Sequence, residues 1–436
     1  MKKLDCNFER RRKEFVSQLP EYSIAIIPNK LISIRSNDVE YKYRPDSDFY
    51  YLTGFDEPNS ICVLVKEKRE FTYLLFVEGK EQEKEIWVGE KAGIQGAKSI
   101  YKADSAYLIT QFDDVLKKII SGMEHIYFPL GKNKELDLKI TSLLSESRAN
   151  VRSGIKTPRA IFDPRDLIHK MRLIKDSYEI DCMKKAADIS KNAHVLAMSY
   201  AKNGMFEYEL EAIIEYKFRK EGAIGPAYPS IVGSGKNCTI LHYIKNNKKI
   251  QKNDLLLIDA GSEYDYYASD LTRTFPVNKK FNSIQKDIYQ IVLEAQTKAI
   301  EQIKPGKRFI DSHNKAVGVL VEGLKELRLL KGSIGEIIKK GKYKKFFMHR
   351  TGHWLGLDVH DAGPYIDNNG NSIKLVPGMV MTVEPGIYIS ENLEDVPEKF
   401  KGIGIRIEDD VLVTNGGNKV LTYGTPKTID EIEAFS

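Results

Sequence analysis

Three of the eight histidines in this 436-residue sequence fall within twelve positions, in the run His349, Arg350, Thr351, Gly352, His353, Trp354, Leu355, Gly356, Leu357, Asp358, Val359, His360. Imidazole is the commonest transition-metal ligand and the usual proton carrier near neutral pH. The interspersed glycines let backbone come close to a ligand. His125, His169, His194 and His313 lack such neighbours and read as structural or surface residues. Acidic residues in the same half of the chain stand at the ends of apolar runs. Leu255 to Ile258 lead into Asp259, and the chain returns through Tyr267, Ala268 and Ser269 to Asp270. A hairpin centred between Tyr264 and Asp265 sets Asp259 directly opposite Asp270, with β carbons ~5 Å apart. Two carboxylates held so close repel strongly unless a cation lies between them. The apolar run from Met379 stops at Glu384. Ile403, Ile405 and Ile407 alternate with Gly404, Arg406 and Glu408, which puts Arg406 and Glu408 on the face away from the isoleucines. Taken alone, Glu408 reads as an exposed strand end beside Asp409 and Asp410. Four carboxylates with at least one imidazole suit a hard divalent ion such as Mn²⁺, with Zn²⁺, Co²⁺ or Fe²⁺ as alternatives. Their formal charge of about −4 matches two such ions, which hydrolytic sites hold ~3.5–4 Å apart with bridging carboxylates.

These residues need a frame. The first ~170 residues read as α/β, with a charged helix over 5–18, strands at 23–27, 31–35, 61–65 and 72–77, and a helix near 112–121. The proline-containing stretch 153–166 reads as a linker. Asp176 with Glu179 three residues on is a capping-box spacing. It starts an apolar-faced helix that ends at Asn203 and Gly204. A second helix follows over 206–220, and a further helical pair over 284–303 and 309–330 interrupts strands and glycine-rich turns.

Composition limits the alternatives. Hydrophobic residues make up 42% and charged residues 29% of the chain, ordinary values for a globular protein of two or three domains. The net charge of +6 is dispersed. Short basic clusters at 10–13, 248–249 and 339–345 read as solvated faces, and no recognised module accompanies them, so no nucleic-acid partner is expected. No apolar run reaches ~18 residues, so no membrane partner is expected either. The basic N-terminus has no apolar segment behind it, unlike a secretory signal. Four scattered cysteines form neither a disulfide framework nor a zinc knuckle, which points to the cytoplasm.

The motifs LLLIDAG, SDLTRTF, HRTGHWLGLDVHD, MTVEPGIY and GIRIEDD together resemble the pita-bread metallopeptidases, and within them the Xaa-Pro aminopeptidase (aminopeptidase P) family of bacterial type. The resemblance spans nearly the whole chain. Residues 43–55 are similar to that family's N-terminal signature, with Pro45 where glutamine is common. The resemblance implies an α/β N-terminal creatinase/aminopeptidase P-like domain over 1–172 and an α+β pita-bread catalytic domain over 173–436. It implies two Mn²⁺ ions on Asp259, Asp270, His353, Glu384 and Glu408, with Asp270 and Glu408 bridging. His242 and His360 would meet the substrate, His349 would line the site, and Arg406 would pair with the acids. Tyr388 would stand behind them. Trp87 would reach a neighbouring subunit's site in a homo-oligomer, a dimer or tetramer. The implied reaction is removal of the residue preceding an N-terminal proline bond. A prolidase acting on Xaa-Pro dipeptides is the nearest alternative. A non-catalytic binding module, which typically loses ligand positions, is the alternative of a different class.

Overall fold

The computed structural model describes residues 7–149 and 156–434. Asp5, Cys6 and residues 153–155, which the expected first helix and linker include, lie outside the described residues. The chain divides into two compact units, Met1–Met171 and Arg172–Ser436.

The first unit is a six-stranded mixed sheet covered by helices. Its strands run in the order Ser105–Leu108, Phe71–Val77, Ile61–Lys66, Ser23–Pro28, His125–Tyr127, Ala160–Phe162. The three central strands pair antiparallel, and the outer pairings are parallel. Ile24, Ile26, Val63, Phe76 and Ile126 form its core with Leu116 and Ile140 from the covering helices. Three expectations change here. Part of the expected linker is an edge strand, Ala160–Phe162, paired in parallel with His125–Tyr127. Its flanking Pro158 and Pro164 lie outside the paired residues, which is where proline is tolerated beside a ladder. The strand expected at 31–35 is an exposed hairpin strand, Ile34–Ser36, which pairs with Val39–Glu40 in a separate two-stranded sheet. The basic cluster at 10–13 is not a solvated face, because Arg11 and Arg12 are buried. Arg12 donates to Leu52 O at 2.9 Å, and the Arg11 guanidinium sits 4.3 Å from the Tyr51 ring centre.

In the second unit the capping box forms as expected: Asp176 and Glu179 exchange hydrogen bonds of 3.0 Å at the start of the helix Ser177–Tyr200. The helices Glu207–Lys220, Ser283–Ile300 and Phe309–Glu326 join it around small antiparallel sheets. One sheet has the order Ile231–Ser234, Leu255–Asp259, Thr272–Pro276. A second has Val380–Val383, Asp409–Thr414, Gly417–Val420, and a ribbon pairs Gly386–Ile389 with Ile403–Arg406. Threonine joins the first sheet to the ribbon: Thr274 Oγ1 donates to Arg406 O at 2.9 Å, and Glu408 N–H donates to Thr272 O at 3.1 Å. The core mixes aliphatic residues such as Leu256, Ile258, Ile288, Val292, Leu320, Ile387 and Ile405 with aromatic ones such as Phe218, Tyr289 and Trp354, all fully buried.

Close backbone approach explains Gly404. A β carbon there would lie 2.0 Å from Cys238 O, a main-chain atom that cannot rotate away. Gly404→Ala should therefore destabilise the chain by about 1–3 kcal/mol, as forced overpacking does. A urea midpoint equal to that of the parent would refute this account of the contact.

Candidate active site

Asp259, Glu384 and Glu408 each stand where a buried strand ends or two strands meet. The hairpin that brings in Asp270 differs from the expected one. Its turn is Asp265–Tyr266, both with positive φ (49° and 68°), the pattern of a tight primed turn. Glu263 therefore pairs with Ala268, and Asp259 faces Thr272 rather than Asp270. Moving the turn by one residue moves the pairing by two, and a shift of two leaves every side chain on its face. Asp270 is thus the diagonal neighbour of Asp259 on the same face, still within reach.

One ligand atom each from Asp270, His353 and Glu408 lie within 4.8 Å of one another. His353 Nε2 is 3.3 Å from Asp270 Oδ2 and 3.7 Å from Glu384 Oε1. Its Nδ1 is 2.9 Å from Trp354 O, an acceptor, which fixes Nδ1 as the protonated nitrogen and turns Nε2 toward the acids. The main chain of this segment is fastened to the strand Val380–Val383. Thr382 N–H donates to His353 O at 2.9 Å and Glu384 N–H to Thr351 O at 2.8 Å. Gly352 is required at that seam, since a β carbon would lie 2.0 Å from Thr382 O.

Asp259 is held differently. Its Oδ2 accepts from Arg406 Nη2 at 2.5 Å, and its Oδ1 lies 2.7 Å from Tyr228 Oη. The same hydroxyl is 2.5 Å from Asp270 Oδ1, yet it has one hydrogen and can donate to one carboxylate at a time. Glu408 is 2% exposed and accepts from Thr272 Oγ1 at 2.7 Å. Its exposed-strand-end reading is corrected: Glu408, Asp409 and Asp410 are all interior. Arg406 also donates to Tyr388 Oη at 3.0 Å, and Tyr388 Oη lies 2.8 Å from His349 Nε2. The His360 ring packs edge-on against His353 with centres 4.4 Å apart.

The electrostatics follow from burial and crowding. Burial, then the charges of Asp270, Glu384 and Asp259, push the Glu408 carboxyl well above its usual range. Burial raises Glu384 to about 7 against the pull of His353. Burial opposes charge on His353, but the bond to Asp270 and the adjacent carboxylates outweigh it and raise it to about 9. Burial and the Arg406 charge lower His349 to about 3, so this imidazole is neutral.

A cleft of about 920 Å³ opens on this cluster. It is lined by Asp259, Asp270, His353, Glu384 and Glu408, by His242, His349, His360 and Arg406, and by apolar side chains including Leu241, Ile244 and Ile366. Tyr388 is buried and touches the site through His349 and Arg406. Trp87 belongs to the first unit, where it is 88% exposed on the helix Gln82–Val88; it is not a packed core aromatic.

Residues 181–415 match the model of metallopeptidase family M24, and residues 8–127 match the aminopeptidase P N-terminal domain. The chain is 42% identical to the Xaa-Pro aminopeptidase of Escherichia coli (strain K12), covering 98% of this chain and 97% of that one. It is 35% identical to human Xaa-Pro aminopeptidase 3, over 91% of this chain and 78% of that protein. Among solved structures, an aminopeptidase of Pseudomonas aeruginosa superposes with a TM-score of 0.95 at 47% identity, covering 98% of this chain and 97% of the other. A Zn-substituted Escherichia coli aminopeptidase P in complex with product gives the same TM-score at 41% identity, with the same coverage. The chain belongs to metallopeptidase family M24. Its fold, an aminopeptidase P N-terminal domain followed by a pita-bread catalytic domain, is the one its motifs implied, and it is a metal-dependent peptidase.

For this M24 chain the sequence reading missed four parts of the site. Tyr228 stands between two acids but sits in an unremarkable Ala-Tyr-Pro context. Asp410 accepts the Asp270 N–H at 3.1 Å, and Asp409 pairs with Arg273 at 2.8 Å and Lys427 at 2.7 Å. The last is Asp361, next to His360. Its carboxylate is 2.6 Å from Arg172 Nη2 and 3.0 Å from Lys175 Nζ, all three buried, and its N–H donates to Trp354 O, the carbonyl that also orients His353. Burial raises the Asp361 carboxyl, but Lys175 and Arg172 outweigh it and hold it below its ordinary 3.8. A carboxyl depressed on folding contributes stability above its unfolded pKa and loses it as the pH falls through the folded one. Asp361→Asn should therefore cost about 3–5 kcal/mol at pH 7 by leaving two buried cations underpaired. It should also flatten the loss of stability below pH 3.8. Urea unfolding from pH 7 down to pH 3 checks both signs.

Proposed function

We propose that this chain removes the N-terminal residue from peptides with proline in second position. The observation that carries the reading is the meeting of four acids, three buried and Glu384 half-buried, with His353 in one open cleft. The relatives named Xaa-Pro aminopeptidase, matched over nearly the full chain, support it. The donor set fits divalent cations: acids crowded enough to raise Glu408 and Glu384, one tyrosine proton between two carboxylates, and an imidazole nitrogen turned inward. Asp259, Asp270, His353, Glu384 and Glu408 would hold two ions, Mn²⁺ by donor hardness, with Zn²⁺, Co²⁺ or Fe²⁺ as alternatives. Such ions act as Lewis acids toward a carbonyl oxygen and make water nucleophilic near neutral pH.

The remaining roles belong to side chains. Glu384 lines the cleft beside His353, where its carboxylate oxygens are placed to accept a proton from the attacking water. His242 and His360 line the cleft, where they orient the peptide and donate to the oxygen that gains charge. Arg406 neutralises Asp259. Tyr388 fixes Arg406 and His349 from behind. Asp270→Ala should remove both bound metal and peptidase activity, measured by elemental analysis and turnover of an Xaa-Pro-Yaa tripeptide. Normal hydrolysis by that variant sinks the metal assignment. His242→Ala or His360→Ala should lower kcat about 10²-fold with metal content unchanged. Turnover of Xaa-Pro dipeptides but no longer peptide would replace this reading with a prolidase.

We further propose a homo-oligomer, dimer or tetramer, located in the cytoplasm. Adjacent exposed Ile86, Trp87 and Val88 form an apolar surface of the sort that a second subunit covers. Free, buried Cys62, Cys182 and Cys238 accord with a reducing compartment. Sedimentation at micromolar concentration should give a multiple of 49.7 kDa. A single species of that mass refutes the assembly, and unchanged KM and kcat in Trp87→Ala would remove Trp87 from the substrate's path.

A further inference from the structure

Glu207 is the first residue of the helix Glu207–Lys220 and is fully buried. An acid at a helix start ordinarily caps the exposed amides. Here Glu209 does that, its Oε2 accepting the Phe206 N–H at 2.6 Å. The Glu207 side chain turns instead into the irregular segment 234–248, which carries Leu241, His242 and Ile244 on the cleft wall. Oε1 accepts from Ser234 N at 2.7 Å, Ser234 Oγ at 2.8 Å and Asn237 Nδ2 at 3.1 Å. Oε2 accepts from Tyr243 Oη at 2.8 Å and Lys248 N at 2.8 Å. The Glu207 N–H donates to Lys248 O at 3.0 Å. One buried side chain therefore clasps the beginning of the segment, its end, and the residue next to His242.

We propose that Glu207 is the positioning residue for His242, its carboxylate fixing the loop that presents this imidazole to the peptide. The inference rests on the reading that His242 meets the reacting peptide. The chemistry of the clasp requires a carboxylate. Each oxygen faces a backbone N–H, Ser234 on one side and Lys248 on the other, and a backbone N–H can only donate. A glutamine in either orientation turns its NH₂ toward one of these amides and breaks that end of the clasp, although its shape is nearly the same. The base of the loop has other fastenings. Asn246 Nδ2 donates to Ser230 O at 2.8 Å, Asn246 Oδ1 accepts from Val232 N at 3.0 Å, and the Cys238 thiol lies 3.2 Å from Gly233 O. Loss of the clasp therefore loosens the His242 segment while the surrounding sheet stays in place.

The test is a double-mutant cycle on the metal-loaded full chain, with an Xaa-Pro-Yaa tripeptide as substrate. Glu207→Gln should lower kcat at least tenfold, the scale on which a misplaced catalytic group loses rate, with KM changed less than about threefold. In a His242→Ala background the same substitution should cost less than about twofold, because the group it positions is gone. Equal losses in both backgrounds, or an unchanged kcat, overturn the proposal. Hydrogen exchange on the metal-free protein gives a readout independent of activity. The Ser234 and Lys248 amides should exchange at least about tenfold faster in Glu207→Gln, while the helix Ser283–Ile300 keeps its protection. Unchanged exchange at both amides overturns the clasp. Should Glu207→Gln fail to fold, Tyr243→Phe removes a single donor beside His242; a severalfold kcat loss that vanishes in the His242→Ala background supports the proposal, and no loss overturns it. A wild-type chain inactive on Xaa-Pro peptides overturns the functional reading itself, whereas an active wild type with additive variants overturns this inference alone.

Discussion

Negative charge concentrated in the interior is the constraint around which the catalytic unit is organised. Two unit charges 4 Å apart interact by about 4 kcal/mol at an effective dielectric of 20. Asp259, Asp270, Glu384 and Glu408 share one cleft floor, so a flexible support would let them move apart. The fold denies them that freedom. Three stand at strand ends or junctions, and the fourth follows a tight hairpin. The segment bearing His353 is sewn to a strand by main-chain hydrogen bonds on both sides. Positive charge comes from Arg406, and from His353, raised to about 9 beside Asp270 and Glu384. Arg406 bonds directly to Asp259, and its hydrogen-bonded link to Glu408 runs through the Thr272 hydroxyl, which accepts from Nε at 3.2 Å and donates onward at 2.7 Å.

That geometry was partly legible in the sequence for a physical reason. An apolar run that stops at an acid is visible without knowing what the acid touches. The period-2 alternation around Arg406 and Glu408 places both on one face regardless of partners. Even the misplaced hairpin turn left Asp259 and Asp270 on a common face, since pairing can only shift by twos when the turn slides by one residue. The recognised motifs supplied what periodicity could not, namely that the histidine run and the acid-ended strands meet.

The illegible parts share a different property. Tyr228, Asp361, Asp409, Asp410 and Glu207 carry no local sign of what they touch, and partners far along the chain give them their significance. Asp409 reads as one of three surface acids until Arg273, Lys427 and Gln296 are found around it. The edge strand Ala160–Phe162 was hidden for a related reason: its pairing partner is His125–Tyr127, and its prolines argue locally for a loop. Arg11 and Arg12 misled because charge in a sequence suggests solvent, whereas a guanidinium can satisfy buried carbonyls and stack on tyrosine.

Burial alone does not distinguish an acid that shapes the fold from one that seeks a cation; the supply of donors does. Glu207 receives five hydrogen bonds. Asp361 faces a lysine and an arginine, and Asp409 faces an arginine, a lysine, an amide and a hydroxyl. Protein groups complete these three, and Asp361 and Asp409 are held below the ordinary carboxylate range despite their burial. Glu408, with one hydroxyl, and Glu384, beside imidazoles, are pushed above it. Asp410, served by the Asp270 amide, is raised as well. Burial opposes charge on Asp270 too, but His353, Tyr228 and Arg406 outweigh it and Asp270 is lowered, whereas burial and the Asp270 charge raise Asp259 although Arg406 and Tyr228 serve it. The underserved acids, Asp259 and Asp270 line or back one cleft. The well-served ones stand around it and hold its walls, with Asp361 fixing the His353 and His360 segment and Asp409 anchoring Arg273 behind Glu408. An interior carboxylate that the chain leaves short of donors must hold a proton or meet a cation, and the acids pushed upward beside His353 are the ones so placed.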